Sequence, residues 1–197
     1  MDLKGKKVLV FGAGKSGIGA ADLLGSAGAQ PVIYDGNADL DKEVVLHKTN
    51  GKYTPEIWAG DFPERALDSL DLVVLSPGVP TDLPLVKSFY EKGLPVWSEV
   101  ELAYRTGKGE VLAITGTNGK TTTTTLVGEI LKAYFKNSYV VGNIGNPFAD
   151  CCLDTTEDGC VVAELSSFQL ETIDTFKPKV SAVLNITPDH LNRHHTM

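Results

Sequence analysis

Short apolar runs alternate along this chain with stretches whose apolar residues recur at helical spacing, and that alternation predicts βαβ units around a mostly parallel sheet. In the first half, strands are expected at Lys7 to Phe11, Pro31 to Tyr34, Leu72 to Leu75 and Leu94 to Trp97, with helices over Gly17 to Ala27 and Leu83 to Lys92. SPGVP, after Leu75, reads as a Pro/Gly turn. Gly93 and Pro95 punctuate the middle, and Ser98 to Arg105 reads as a short helix leading into a second unit. There a strand, Glu110 to Ile114, enters a glycine loop and a helix from Lys120 to Phe135, with further strands at Ser138 to Val141, Cys160 to Glu164 and Val180 to Leu184. The expected fold class is α/β, with a Rossmann-like parallel-sheet domain over residues 1–95 and a P-loop-type α/β domain over 96–197. The boundary is expected between residues 93 and 97.

Composition narrows the function classes. Among 197 residues, 42% are hydrophobic and 22% charged, as in an ordinary globular protein. The net charge of −7 argues against bulk binding to nucleic acid or anionic membrane, so any anionic ligand must be held by local geometry. No segment has the 18 or so apolar residues of a membrane span. Lys4, Lys6 and Lys7 precede an apolar run, but Val8 to Phe11 is too short for a signal peptide core. Cys151, Cys152 and Cys160 have no CxxC spacing and read as small apolar residues of a cytoplasmic protein.

Two glycine loops carry the chemistry. Gly12, Gly14 and Gly17 form GxGxxG between a strand and a helix, and Asp35 ends the next strand 18 residues beyond Gly17. Such glycines let the backbone approach a pyrophosphate at a helix N-terminus. This loop alone is compatible with an NAD-dependent enzyme, another nucleotide-like ligand, or a structural turn. A nicotinamide enzyme would also need a hydride-accepting substrate site, and no later segment supplies a recognisable one.

The second loop is more specific. In AITGTNGKTTTTT a strand runs into Gly116, Thr117, Asn118, Gly119, Lys120 and Thr121, and a helix follows. Backbone amides there can wrap phosphate oxygens, Lys120 can reach the terminal phosphates, and the Thr121 hydroxyl can bind Mg²⁺. The usual motif would have Gly at position 114, where this chain has Ile114. The run Thr121 to Thr125 is a poor helix former, which favours phosphate and metal contacts at its start. Glu164, at the end of an apolar strand, stands where α/β nucleotide-binding folds place the acid that holds Mg²⁺. Asp189 and His190 follow another strand, and three of the four histidines fall in the last eight residues.

Read in order, GAGKSG, LSPGVP, GTNGKTTTTT, GNIG, ELSSFQLE and NITPDHLNRH resemble the Mur ligases of peptidoglycan synthesis across essentially the whole chain. GTNGKT is common to the wider superfamily, whereas ELSSFQLE points to the branch that adds D-glutamate. One departure is Asn192, where the family pattern usually has Asp. The resemblance implies a cytoplasmic, ATP- and Mg²⁺-dependent amide ligase. Its small-molecule substrates would be UDP-MurNAc-L-alanine and D-glutamate, joined through an acyl phosphate. The first domain would bind UDP substrate and the second, incomplete here, would be the ATPase. Gly14, Lys15, Ser16, Asp35, Asn37 and Ser76, Pro77 and Gly78 would line the UDP site, and Asn143 and Ser166 would contact the muramoyl group. Gly116 to Thr122, including Thr122 itself, would hold ATP; Thr121, Glu164 and His190 would engage Mg²⁺; Lys120, Glu164 and His190 would be catalytic. In the family a modified lysine and an amino-acid-binding domain lie downstream of the Asp-His segment, so the 197 residues are expected to be the amino-terminal portion of a longer enzyme, inactive alone. The alternatives are an NAD-dependent oxidoreductase, another ligase of the same family, or a nucleotide-binding module.

Overall fold

The computed structural model of the chain describes residues 2–197. The first half alternates β1 (Lys7–Phe11), α1 (Lys15–Ser26), β2 (Gln30–Asp35), α2 (Lys42–Lys48), β3 (Glu56–Ala59), β4 (Leu72–Leu75), α3 (Pro84–Glu91) and β5 (Val96–Ser98). These five strands form one parallel sheet in the order β3-β2-β1-β4-β5. After α4 (Glu99–Thr106), a second parallel sheet has the order β7-β8-β6-β9, from β6 (Glu110–Thr115), β7 (Ser138–Gly142), β8 (Cys160–Glu164) and β9 (Val180–Val183). The helix α5 (Lys120–Lys132) follows β6, and the short helices α6 (Ser167–Leu170) and α7 (Leu191–His194) follow β8 and β9. β1 lies between β2 and β4, and β6 between β8 and β9. The chain therefore leaves each of these strands on one side of the sheet and later returns on the other. Such a switch point opens a crevice at the carboxyl end of the strand, and both glycine loops begin there.

Several element bounds differ from the pattern-based expectation. β5 begins at Val96 because α3 ends in a Schellman motif. Gly93 takes φ 71° and donates to the Tyr90 carbonyl, while Leu94 donates to that of Phe89, so Leu94 belongs to the helix end. β5 completes the first sheet, and the change of sheet comes after Ser98. α1 starts at Lys15, two residues before the expected Gly17, and α5 ends at Lys132, short of Phe135. Two elements escape the apolar pattern. β3 is a half-buried edge strand, and α2 buries only Val45 and rests on its Asp41 cap, which accepts from Glu43 and Val44 amides. Cys152 and Cys160 are buried and Cys151 half-buried, all as free thiols, and burial raises their pKa, that of Cys151 to about 12. They are therefore poor nucleophiles.

One continuous apolar core runs through both halves: Val8 and Val10 of β1, Leu23 and Leu24 of α1, Val100 and Leu102 of α4, Phe148, and Val161 of β8. α4 is its hinge, capped by the Ser98 hydroxyl, which accepts from the Glu101 amide. Its first turn buries two carboxylates that both reach the second half. Glu101 accepts from the amides of Asp174, Thr175 and Phe176, the Thr175 hydroxyl and Arg105. Burial pushes the Glu101 carboxyl up, but these bonds, led by the Thr175 hydroxyl, outweigh it and hold the group at about 2. Glu99 Oε1 accepts from the Ala149 amide at 2.5 Å, while its Oε2 is buried without a partner. Burial raises this carboxyl to about 7, against the opposing backbone hydrogen bonds.

Steric contact also shapes the turn after β1. Gly12 takes φ 107°, and a Cβ on Gly17 would lie 1.9 Å from the Gly12 carbonyl oxygen. Gly17→Ala is therefore expected to destabilise the protein by about 1–3 kcal/mol despite the better helix propensity of Ala, as measured by urea denaturation. Glu99 titrates near 7 when folded and near 4.5 when unfolded, so its contribution is fully present below pH 4.5 and is lost as pH rises toward 7. Glu99→Gln keeps an acceptor for Ala149 and removes the titration. Denaturation curves should show the variant about 1–3 kcal/mol more stable than the parent at pH 8, with the difference vanishing near pH 4.5.

Candidate functional site

At the first loop, the Gly12 amide donates to the Tyr34 carbonyl, and Asp35 accepts from the amides of Ala13 and Asn37 at 3.0 Å each. Asp35 thus shapes the loop through its backbone amides. Asn37 in turn caps the following turn by accepting from Asp39. Ser76 donates to the Gly12 carbonyl at 3.3 Å and seats the SPG turn beside the loop. Gly14 precedes α1 without a side-chain cap, leaving the amides of the first helical turn, including Ser16, available to an anion. Lys15 bridges the halves: its Nζ donates to the Gly145 carbonyl at 2.5 Å and to Asn146 Oδ1 at 3.2 Å. GNIG is therefore attached to the first glycine loop.

At the second loop, Gly116 has φ 135° and Gly119 φ 83°, so two left-handed residues bend the chain around an open centre. Lys120 Nζ folds into that centre, donating to the carbonyls of Gly116 at 2.7 Å and Thr117 at 3.0 Å. Ile114, where the usual motif has Gly, is a buried strand residue paired with Glu164 and Ala182, upstream of the bend. The departure therefore leaves the backbone of the bend intact. Of the threonine run, Thr121 and Thr122 are exposed at the start of α5, while Thr124 is buried against the sheet.

Glu164 ends β8 at 1% exposure. Its Oε1 accepts from Asn143 Nδ2 at 2.9 Å, and its Oε2 is buried without a partner. A buried carboxylate with one oxygen held and the other unsatisfied fits a cation. Gly142 permits this approach, since a Cβ there would lie 2.2 Å from the Glu164 carbonyl oxygen. His190 sits in left-handed backbone, φ 48°, and tilts against Phe168 with ring centroids 4.9 Å apart. Among the described residues, no three His, Cys, Asp or Glu side chains converge as a metal cluster. A divalent ion at Glu164 would therefore complete its shell with hydroxyl, water and ligand oxygens.

A cavity of about 660 Å³ joins the two halves. Of the residues singled out from sequence, it gathers Pro77, Gly78, Gly116, Thr117, Lys120, Asn143, Ser166 and His190. Gly14 and Lys15 instead line a groove of about 690 Å³ along α1. Ser16, Asp35, Asn37, Ser76, Asn118, Gly119, Thr121, Thr122 and Glu164 line neither. The Ser166 hydroxyl is engaged in a capping box, accepting from the Gln169 amide while Gln169 Oε1 accepts from the Ser166 amide. The S-x-x-Q spacing within ELSSFQLE carries that signal in the sequence. Reading by motif also missed Arg193, which stacks over Phe168, donates to the Val79 carbonyl, and pairs with Glu171 at 2.6 Å. The partners lie up to 114 positions apart, beyond any local pattern.

Known proteins resemble the chain along its full length. The MurD-like N-terminal domain of Mur ligases matches residues 6–98, and the Mur ligase middle domain matches residues 114–197. UDP-N-acetylmuramoylalanine--D-glutamate ligases from Lachnospira eligens and Lachnoclostridium phytofermentans are 58% and 57% identical over all of this chain. The chain spans 44% and 43% of their respective lengths. Among solved structures, UDP-N-acetylmuramate-alanine ligase from Thermotoga maritima is 26% identical with a TM-score of 0.53, covering 98% of this chain and 44% of its own. A second ligase, UDP-N-acetylmuramate:L-alanyl-gamma-D-glutamyl-meso-diaminopimelate ligase from Neisseria meningitides, shares the fold at 18% identity and TM-score 0.57, over 96% of this chain and 63% of its own. With both domain profiles matched in order and the two ligases 58% and 57% identical over all of this chain, the chain belongs to the Mur ligase family.

Proposed function

We propose that this chain is the nucleotide-binding part of a cytoplasmic ATP-dependent amide ligase that adds D-glutamate to UDP-MurNAc-L-alanine. The observation that carries this reading is the single cavity in which the SPG turn of the first half meets Lys120, Asn143 and His190 of the second. The sequence identity to the D-glutamate ligases supports the choice of amino acid.

In this reading a carboxylate oxygen of the L-alanine attacks the γ-phosphorus of ATP, ADP leaves, and an acyl phosphate results. The D-glutamate amine then attacks the acyl carbon, loses a proton, and expels inorganic phosphate to leave the amide. Such phosphoryl transfer relies on positioning and charge neutralisation. Among the described residues Lys120 is the only Lys or Arg lining the cavity, and its ammonium, now on two loop carbonyls, is placed to exchange them for phosphate oxygens. Glu164, oriented by Asn143, and the Thr121 hydroxyl would hold Mg²⁺, and His190 would border it. When bound, Mg²⁺ would neutralise charge on the transferring phosphoryl group. The UDP moiety would lie over the first loop, with Lys15 linking it to GNIG.

Titration separates this reading from the oxidoreductase alternative: UDP should bind and NADH should not, and tight NADH binding without UDP or ATP binding would overturn the ligase reading. Lys120→Ala should leave UDP affinity unchanged and lower MgATP affinity at least about tenfold, by calorimetry. Ligation in this reading also needs parts of the relatives outside the matched span. Incubating the 197-residue chain with ATP, UDP-MurNAc-L-alanine and D-glutamate should release no phosphate, and measurable turnover would contradict that requirement.

A further inference from the structure

The second glycine loop is held by one side chain, the first residue of NITPDHLNRH, to which the sequence assigned no role. Asn185, two residues after β9, meets the peptide of Asn118 with both ends of its amide. Its Oδ1 accepts from the Asn118 N–H at 2.8 Å, and its Nδ2 donates to the Asn118 carbonyl at 2.9 Å. Its own carbonyl accepts from the Thr117 amide at 3.0 Å. Two residues on, Thr187 accepts from and donates to the Thr117 hydroxyl. Gly116 permits this closeness, because a Cβ there would lie 3.0 Å from the Asn185 carbonyl oxygen.

The consequence is a division of labour among the loop amides. Those of Thr117 and Asn118 are taken by Asn185. Among the described residues, no protein acceptor meets the amides of Gly119, Lys120, Thr121 or Thr122, while the Thr123 amide closes the first helical turn on Gly119. We propose that Asn185 is a positioning residue: it pins the Asn118 peptide so that phosphates meet only the Gly119–Thr122 amides, and the first half of the loop serves as its rigid backing. This rests on the ATP reading above and narrows the cradle within it. Asn suits the task because its amide is a donor and an acceptor at once. An Asp has the same shape but would set a carboxylate oxygen against the Asn118 carbonyl. Each bond spans 67 positions, so the brace forms only when β9 docks beside β6.

The test uses amide hydrogen exchange and nucleotide titration on the 197-residue chain. In the nucleotide-free parent the Asn118 amide should be protected, and in both Asn185→Ala and Asn185→Asp it should exchange at least about tenfold faster. Both variants should bind MgATP about ten- to a hundredfold more weakly with UDP affinity unchanged. On adding MgATP to the parent, the amide resonances of Gly119 to Thr122 should move and that of Asn118 should stay. Unchanged Asn118 exchange in the variants would overturn the proposal, as would an Asn118 resonance that moves with that of Gly119. Asn185→Asp behaving like the parent would reduce Asn185 to a space-filling role and overturn it too. If the parent chain binds no MgATP, the ATP reading falls, and the exchange data still decide the brace.

Discussion

Two buried carboxylates in the first turn of α4 fix how the halves of this protein meet. Glu101 satisfies three backbone amides of the segment Asp174 to Phe176, and Glu99 satisfies that of Ala149. Neither segment lies in a sheet that could supply acceptors, so the carboxylates serve backbone amides that no ladder satisfies. Their first-turn position also favours negative charge through the helix dipole. The two groups differ in what else surrounds them. Glu101 has Arg105, which also stacks on Trp97 at 4.1 Å, and so stays charged, whereas Glu99 keeps one oxygen unpartnered.

That fixed orientation sets two ordinary parallel-sheet loops in one frame. Each loop begins at its own switch point, where a lone domain would bind a single nucleotide. Held by α4, and bridged by Lys15 to Gly145 and by Arg193 to Val79, the halves bring the SPG turn and the second glycine loop to a common cavity, while Gly14 and Lys15 line a separate groove along α1. Glu164, with one oxygen satisfied by Asn143 and the other bare, is the group in that region whose surroundings fit a cation. A net charge of −7 is compatible with phosphate ligands because the groups that could meet an anion are local: loop amides, helix N-termini and Lys120.

Much of this was legible from residues alone. Apolar runs of β1, β4, β6 and β8 announce buried parallel strands, because such strands are covered on both faces and need no alternation. The glycines at 12, 17, 116 and 119 mark the bends, since each position either takes a left-handed backbone or has no room for a Cβ. Edge elements were illegible for the complementary reason. β3 and α2 bury too little to leave an apolar signature, and Leu94 reads as strand until the hydrogen bonds at the end of α3 claim it.

Side-chain roles divide the same way. Residue types and spacing determined that two glycine turns follow strands and open helices, that Lys120 belongs to one of them, and that Glu164 ends a strand beside it. Only the tertiary structure decided that Asp35 serves its own loop, that the Ser166 hydroxyl caps α6, and that Asn185 backs the phosphate loop. The reason is distance along the chain. A turn is specified by the few residues that form it, whereas a partner 22 or 67 positions away is chosen only when the sheets assemble.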